Sequence, residues 1–182
     1  RMGVRCTDCH DPHTAKRLKE GNALCTRCHD ARTYDGEGHH FHKAVWQGKP
    51  SKGVLCESCH MPTQLYMVVH ARHDHSIRVP RPDLSRTLGV PNACGNAGCH
   101  ADKGIDWIVG KYDAWYGKAR KPHYGTTLAA GRRGEPTALE GLVRLADDPL
   151  SPVIVRATAL SRLVAYPGPE ADAALRRALV DE

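Results

Sequence analysis

Large aromatic side chains are scarce in this chain of 182 residues. It contains one Phe, and aromatic residues make up 5% of the sequence, although 41% of it is hydrophobic. A core built only from side chains usually relies more heavily on Phe, Tyr and Trp. No stretch is long and apolar enough to predict a transmembrane helix. The chain is long enough for one domain or one and a half, but its composition does not predict an ordinary all-polypeptide core.

Cysteine and histidine are absent from residues 126–182 and frequent before them. The chain has eight Cys, all between Cys6 and Cys99, and 12 His. Three cysteine pairs occur as Cys-x-x-Cys-His: "CTDCH" at 6–10, "CTRCH" at 25–29 and "CESCH" at 56–60. The fourth pair, in "CGNAGCH" at 94–100, has four residues between its cysteines. Every second cysteine of the chain is therefore followed directly by a histidine.

This regular pairing of cysteine with histidine points to one cofactor. Disulfides would explain paired cysteines but not the histidine that follows each pair. Zinc would need two such pairs per ion and has no use for His at the same place four times. Cys-x-x-Cys-His is the attachment signature of haem c, in which two thiols bond to the porphyrin and the His ligates the iron. We therefore predict four covalently bound haem c groups, attached at Cys6, Cys9, Cys25, Cys28, Cys56, Cys59, Cys94 and Cys99.

The fourth motif differs from the others only in its longer loop. If the other three motifs each use both of their cysteines, Cys94 and Cys99 have no other partners. Gly95 and Gly98 make a wider loop easy to close, and the end of the motif, a thiol followed by the His100 imidazole, is intact. We predict a fourth haem here. The alternative is one thioether with Cys94 left as a free thiol, which is a reactive group when exposed.

Histidines outside the motifs are twice as many as four irons need as sixth ligands. The predicted proximal ligands are His10, His29, His60 and His100. The surplus favours irons with His on both faces, which have no open position and a potential below that of a His/Met pair. The remaining candidate ligands are His13, His39, His40, His42, His75 and His123. His70 and His73 lie in the polar stretch "HARHDH" and are interpreted as surface or propionate-contacting residues.

Simple geometry separates some of these candidates. His13 is three residues after His10, too close to reach the opposite face of the same porphyrin, so we predict that it ligates the iron of the second motif. One or two of His39, His40 and His42 are expected to be ligands. Neighbouring residues of an extended chain point to opposite sides, so His39 and His40 could serve different haems.

The net charge has to be corrected for the cofactors. A formal charge of +6 would by itself suggest an anionic partner. Four haems would add about eight negative charges from propionates and about four positive charges from the ferric cores, which brings the oxidised protein to about +2. Many of the 26 Lys and Arg are therefore expected to pair with propionates, and nucleic-acid binding is not predicted. Because haem c is attached outside the prokaryotic cytoplasm, we expect an exported periplasmic or cell-surface protein. The sequence is then expected to be a processed form, or a fragment without its leader.

The two parts of the chain differ in composition. Residues 1–125 are predicted to be a tetrahaem domain, mostly loop with short α-helices around stacked haems, and a helix is predicted at 104–117. In residues 126–182, apolar residues recur at helical spacing in three segments; those of the middle segment are Val153, Ala157, Leu160 and Val164. The Pro-containing "DDPLSP" and "YPGPE" separate the segments. We predict an all-α, HEAT-like repeat region that docks a partner or serves as a helical cap.

The segments "GVRCTDCHDPH", "GVLCESCHMP" and "DHSIRVPRPDLSRTLGVPNAC" resemble a group of bacterial multihaem c-type cytochromes. These proteins join doubled Cys-x-x-Cys-His motifs to C-terminal tetratricopeptide- or HEAT-like repeats, and the resemblance covers residues 3–130. It implies that His75, in "DHS", is an iron ligand. The fourth motif departs from the group, which usually has Cys-x-x-Cys-His there. Some extracellular multihaem cytochromes polymerise, so self-association into a filament is a further expectation.

Together these features predict an electron carrier and not an enzyme. The expected protein is an exported tetrahaem cytochrome that exchanges electrons with redox partner proteins or other multihaem cytochromes. Two alternatives are left open. A multihaem oxidoreductase would need one five-coordinate haem and a polar pocket beside it. A scaffold would use its haems only to hold a small domain together and its helical repeat to bind a partner.

Overall fold

A computed structural model of the chain describes residues 3–96 and 98–180. The chain divides into two compact units, Arg1–Lys118 and Ala119–Glu182. Residue 125, the predicted end of the first domain, lies inside a helix of the second unit. No helix within the described ranges combines the length and the apolar character that a membrane span requires.

The helices of the first unit are mostly short. They are α1 (Cys6–Cys9), α2 (Ala31–Tyr34), α3 (Glu37–His40), α4 (Cys56–His60), α5 (Pro82–Leu88) and α6 (Ile105–Tyr116), with 3-10 helices at Gly21–Arg27 and Lys52–Val54. The Asp30 side chain accepts a hydrogen bond from the Arg32 amide at the start of α2, and Pro82 occupies the first turn of α5, where its missing N–H is not needed. The helix predicted at 104–117 is confirmed as α6.

Two small antiparallel hairpins, which the sequence did not predict, complete the first unit. Their strands are β1 (Val45–Trp46) with β2 (Lys49–Pro50), and β3 (Thr63–Tyr66) with β4 (His70–His73). In the second hairpin Thr63 is opposite His73 and Tyr66 is opposite His70. The base of this hairpin therefore follows directly after the third motif.

Among the described residues of the first unit, the buried side chains are few and lie in one part of it. They are Pro82, Leu84, Ala93, Ile108 and Val109, most of them where α5 packs against α6. Residues 3–81, all of which are described, contain no buried side chain. A folded segment of this length normally buries much of its surface. This part of the unit therefore lacks a side-chain core of its own.

The described residues of the second unit form four α-helices. They are α7 (Tyr124–Arg132), α8 (Ala138–Asp147), α9 (Val153–Leu163) and α10 (Pro169–Ala178). α8 packs against each of the other three. The core consists of Leu142, Leu163 and the alanines Ala138, Ala146, Ala159, Ala171 and Ala174. These small residues let the helices approach closely, and a Cβ at Gly131 of α7 would lie only 2.9 Å from Leu142 Cδ1.

The predicted helical segments of the second unit are confirmed as α8, α9 and α10, and the fold is helix-rich with little sheet. The apolar face predicted for α9 is wrong, because Val153 and Val164 are exposed. Its buried stripe is Val155, Ala159 and Leu163. The helix is apolar on two sides, and the side with the small Ala159 allows the closer approach to α8. The HEAT-like repeat and the stacked haems stay predictions.

Candidate haem-binding site

The cysteine motifs form compact turns with a common hydrogen bond. In three of them, the amide of the motif histidine donates to the carbonyl of the first cysteine: His10 to Cys6 at 2.8 Å, His29 to Cys25 at 3.0 Å and His100 to Cys94 at 3.0 Å. The remaining motif, the third, is the helix α4. The wider loop of the fourth motif is thus closed by the same hydrogen bond as the shorter loops, from the histidine amide to the carbonyl of the first cysteine.

Cysteines of different motifs lie close to one another. No disulfide joins any of the eight. The thiol of Cys25 in the second motif is hydrogen-bonded to that of Cys56 in the third, and partial burial raises the pKa of Cys56 to about 11. Partial burial also raises the pKa of Cys59 to about 11, with smaller contributions from Cys94 and Cys99 of the fourth motif. The third motif is therefore a neighbour of both the second and the fourth.

Three motif histidines each face a second histidine from elsewhere in the chain. The ring centroids are 6.3 Å apart for His10 and His75, 6.2 Å for His60 and His39, and 6.1 Å for His100 and His42. The three ring separations are nearly equal, although the number of residues between the two histidines differs greatly from pair to pair. All six residues are among the iron ligands predicted from the sequence.

These separations fit two imidazoles on opposite faces of one iron. A metal–imidazole bond is about 2.0 Å long and the ring centre lies roughly 1.1 Å further away, so centroids on opposite sides of one ion are roughly 6.2 Å apart. Within the described ranges, no group of three or more His, Cys, Asp or Glu is placed to hold a metal ion. Two imidazoles are too few for a zinc site, but they complete an iron that a porphyrin already supplies with four nitrogens. The residues present fit haem.

Hydrogen bonds orient four of these six rings with Nε2 available for a metal. In each, Nδ1 donates to a backbone carbonyl: His10 to Ala15 at 2.9 Å, His60 to Arg78 at 2.9 Å, His75 to His73 at 2.9 Å, and His42 to His40. A carbonyl can only accept, so the proton is on Nδ1 and Nε2 keeps its lone pair. Histidines that bind metals usually have such a partner at the other nitrogen.

Two other predicted ligands have the opposite hydrogen-bond direction. Nδ1 of His40 accepts from the amide of His42 at 3.1 Å. Nδ1 of His123 accepts from the amide of Gly125 at 3.0 Å, at the start of α7 in the second unit. In a neutral imidazole, an Nδ1 that accepts leaves the proton on Nε2. Ligation by His40 and His123 stays a prediction, and this geometry does not favour it.

The second motif has a tyrosine beside its histidine. The rings of His29 and Tyr34 meet edge-on with centroids 5.8 Å apart, and Tyr34 meets His39 in the same way at 5.3 Å. His13, the predicted sixth ligand of this iron, lies in an exposed turn in which its amide donates to the Asp11 carboxylate at 3.1 Å. The role of His13 stays a prediction.

The two histidines that were interpreted as surface residues lie on β4. His70 and His73 are both exposed, and their interpretation as surface or propionate-contacting residues stays a prediction. Nδ1 of His73 donates to the Met61 carbonyl at 2.7 Å. This bond ties β4 to the residue that follows the third motif.

Two residues that shape the histidine pairs carry no sequence signal. Gly53 lies against the His42 ring, since a Cβ at this position would be 2.5 Å from His42 Cγ. The Tyr116 hydroxyl donates to the His39 carbonyl at 2.5 Å. Partial burial raises the pKa of Tyr116 to about 12, so the hydroxyl is protonated at neutral pH. Neither residue belongs to a motif or a periodic pattern. Only their contacts in space reveal them.

The first two motifs also match a known family. A family model described as "Doubled CXXCH motif" matches residues 1–33. No curated protein and no solved structure shows a match to the chain. The family match supports a multihaem c-type cytochrome with covalently bound haem c, a class of electron carriers that is typically exported.

Proposed function

We propose that this chain is an exported tetrahaem c-type cytochrome that carries electrons between redox partners through haems ligated by His on both faces. The three histidine pairs, each with one motif histidine and centroids 6.1–6.3 Å apart, carry the proposal. The absence of buried side chains from residues 3–81 supports it as well, because a segment that encloses large cofactors needs little side-chain core of its own.

The pairs suggest which histidine serves which iron. His75, His39 and His42 would be the sixth ligands for the first, third and fourth motifs, in that order. His13 is the proposed sixth ligand for the second motif. His40 and His123 are not assigned to an iron.

The proposed role of the polypeptide is to bind the haems, to insulate them and to set their reduction potentials. Bound haem supplies a one-electron Fe(III)/Fe(II) couple. With two histidines holding each iron, a substrate would have no place to bind, and electron transfer would be the remaining chemistry. A carbonyl acceptor at Nδ1 makes the imidazole a stronger ligand, which favours the ferric state and lowers the potential of that site.

Haem counting and spin state test this proposal together. The absorbance of the pyridine haemochrome, combined with intact mass, is expected to give four covalent haems per chain. Electron paramagnetic resonance of the oxidised protein should show low-spin iron, and carbon monoxide should not bind readily to the reduced protein. Any other haem count, or carbon monoxide binding at most of the irons, would overturn the proposal.

The ring beside His29 favours a second candidate, a multihaem oxidoreductase. The ring beside His29 belongs to Tyr34 and not to a second histidine. If one iron is five-coordinate with a polar neighbour, it would therefore be the iron of the second motif. His13→Ala separates the two functions. An electron carrier should gain a high-spin signal at one haem in this variant, because His13 is then a ligand. An enzyme should show that signal already in the wild-type protein, and the variant should leave it unchanged.

We also propose that the protein functions in the periplasm or at the cell surface, with redox proteins or other multihaem cytochromes as partners. Copies of the chain would associate, up to a filament, and the second unit would act as a HEAT-like docking region. The helical packing of α7 to α10 around a shared core supports a repeat of this kind. Light scattering followed by cryo-EM of the haem-loaded protein tests association, and a monomer at every concentration would rule out the filament.

A further inference from the structure

One short segment of the first unit supplies histidines to two different motifs. The His39 ring faces His60 of the third motif, and the His42 ring faces His100 of the fourth. Between them, Phe41 ends α3 in the left-handed conformation, with φ 55°. This conformation is uncommon for a bulky residue, and it turns the chain so that His39 and His42 can point to separate partners.

The C-terminal end of α6 contacts both His39 and His42. The Tyr116 hydroxyl donates to the His39 carbonyl at 2.5 Å. The Trp115 ring stacks on Phe41, with centroids 5.0 Å apart and planes 3° apart, and meets the His42 ring edge-on at 5.8 Å. Two adjacent residues of one helix therefore fix the segment from its first histidine to its last.

The N-terminal end of α6 contacts the fourth motif. Trp107, in the first turn, lies against the His100 ring with centroids 5.1 Å apart. α6 is a continuous helix of 12 residues, so it holds the motif histidine and the segment opposite it at a fixed separation. Tyr116 itself is 43% exposed. Its contribution to core burial is small, whereas its hydroxyl is directed at the His39 carbonyl.

We propose that Tyr116 is a positioning residue that sets the third and fourth sites together, because its hydrogen bond holds the segment that carries both His39 and His42. This inference rests on the ligand pairs of the proposed function. It predicts that a single change on α6 affects two of the four haems and leaves the other two unchanged. A residue that merely stabilised the unit would affect all four haems or none.

Tyr116→Phe in the full haem-loaded protein removes the hydroxyl and keeps the ring. Four covalent haems are expected to remain by the pyridine haemochrome assay. Loss of one hydrogen bond should shift the equilibrium from the conformation in which α6 holds this segment toward one in which the segment is released, by roughly 2- to 10-fold. Carbon monoxide binding to the reduced protein should therefore rise by that factor at two haems, and the low-spin resonance signals of the same two should shift.

Three variants complete the test. Tyr66→Phe, at an exposed position of β3 in the same unit, is the matched control and should leave every haem unchanged. His39→Ala and His42→Ala identify the two haems concerned, because each should open one iron to carbon monoxide. The haems that respond to Tyr116→Phe must be those two.

Every other result counts against the inference. An unchanged protein, or a response at one, three or four haems, would overturn the positioning role of Tyr116. So would a response at the haems of the first and second motifs. If the wild-type protein already binds carbon monoxide at the third and fourth sites, the ligand pairs themselves are wrong, and that result is independent of any Tyr116 variant.

Discussion

Gly53→Ala is the most direct test of the pairing between His42 and His100. Gly53 lies in the 3-10 helix Lys52–Val54 and faces the His42 imidazole. An added Cβ would be 2.5 Å from Cγ and 3.0 Å from Cβ of His42. Nonbonded carbon atoms are at their optimum at about 3.5–4.0 Å, so the ring would have to move by roughly 1 Å. A metal–imidazole bond is only about 2.0 Å long, and a shift of this size would remove His42 from its iron.

The expected result is the loss of the sixth ligand at one haem out of four. Resonance spectra of the oxidised protein should gain a high-spin signal, and the reduced protein should bind one carbon monoxide per chain, counted against the total haem content. Gly36→Ala is the matched control. Gly36 has an extended backbone and precedes α3, and an added Cβ there would meet no atom within 4 Å. This variant should keep the wild-type spectrum.

The opposite outcome would refute the reasoning at this site. If Gly53→Ala kept four low-spin haems and did not bind carbon monoxide, His42 would not be the sixth ligand of the fourth iron. The centroid distance would then be a coincidence of packing. Intact mass excludes the trivial explanation, because a variant with three haems would have lost attachment and not ligation.

The structure supports three further predictions. Leu142→Ala should lower the free energy of unfolding of the second unit by about 2–5 kcal/mol, since Leu142 is fully buried. Urea unfolding followed by far-UV circular dichroism measures this loss. A negligible change would contradict the described core. Asp147→Asn removes an ion pair to Arg177, with 2.6 Å between Oδ2 and Nη2. Both partners are about half exposed, so the loss of stability should be small, and smaller still in concentrated salt. A chain produced without haem should be cut by proteases within residues 3–81, which bury no side chain, while the second unit resists. Equal resistance of the two units to the protease would show that the first unit folds without its cofactors.

The chemistry of the sites was predictable because it is local in sequence. The two cysteines and the histidine that serve one haem are held within a single short motif, so spacing alone identifies them. The histidine that faces a motif histidine is not local in sequence. Composition reduced the candidates to eight histidines, but the choice among them depends on how the chain folds back, as His75 does on His10. Gly53 and Tyr116 act only through such contacts, which explains why no pattern marked them.

Local patterns also failed where elements are very short. β1 and β2 have two residues each, too few to show an alternation of apolar and polar residues. The turn between β3 and β4 places Met67 and Val68 at positive φ, where sequence rules expect Asn or Gly. A turn without turn-forming residues cannot be recognised from the local sequence.

The cluster "GHHFH" shows what distinguishes neighbouring histidines as ligands. The prediction that His39 and His40 point apart assumed an extended chain, and this premise is wrong, because Glu37–His40 form α3. His42 instead diverges from His39 after the left-handed Phe41, and His40 turns back to accept a hydrogen bond from the His42 amide. For His40 to bind an iron through Nε2, this bond would have to break and the ring proton move to Nδ1. His42 needs no such change, because its Nδ1 already donates to a carbonyl. The direction of a hydrogen bond at Nδ1, which no sequence pattern encodes, therefore separates His42 from His40.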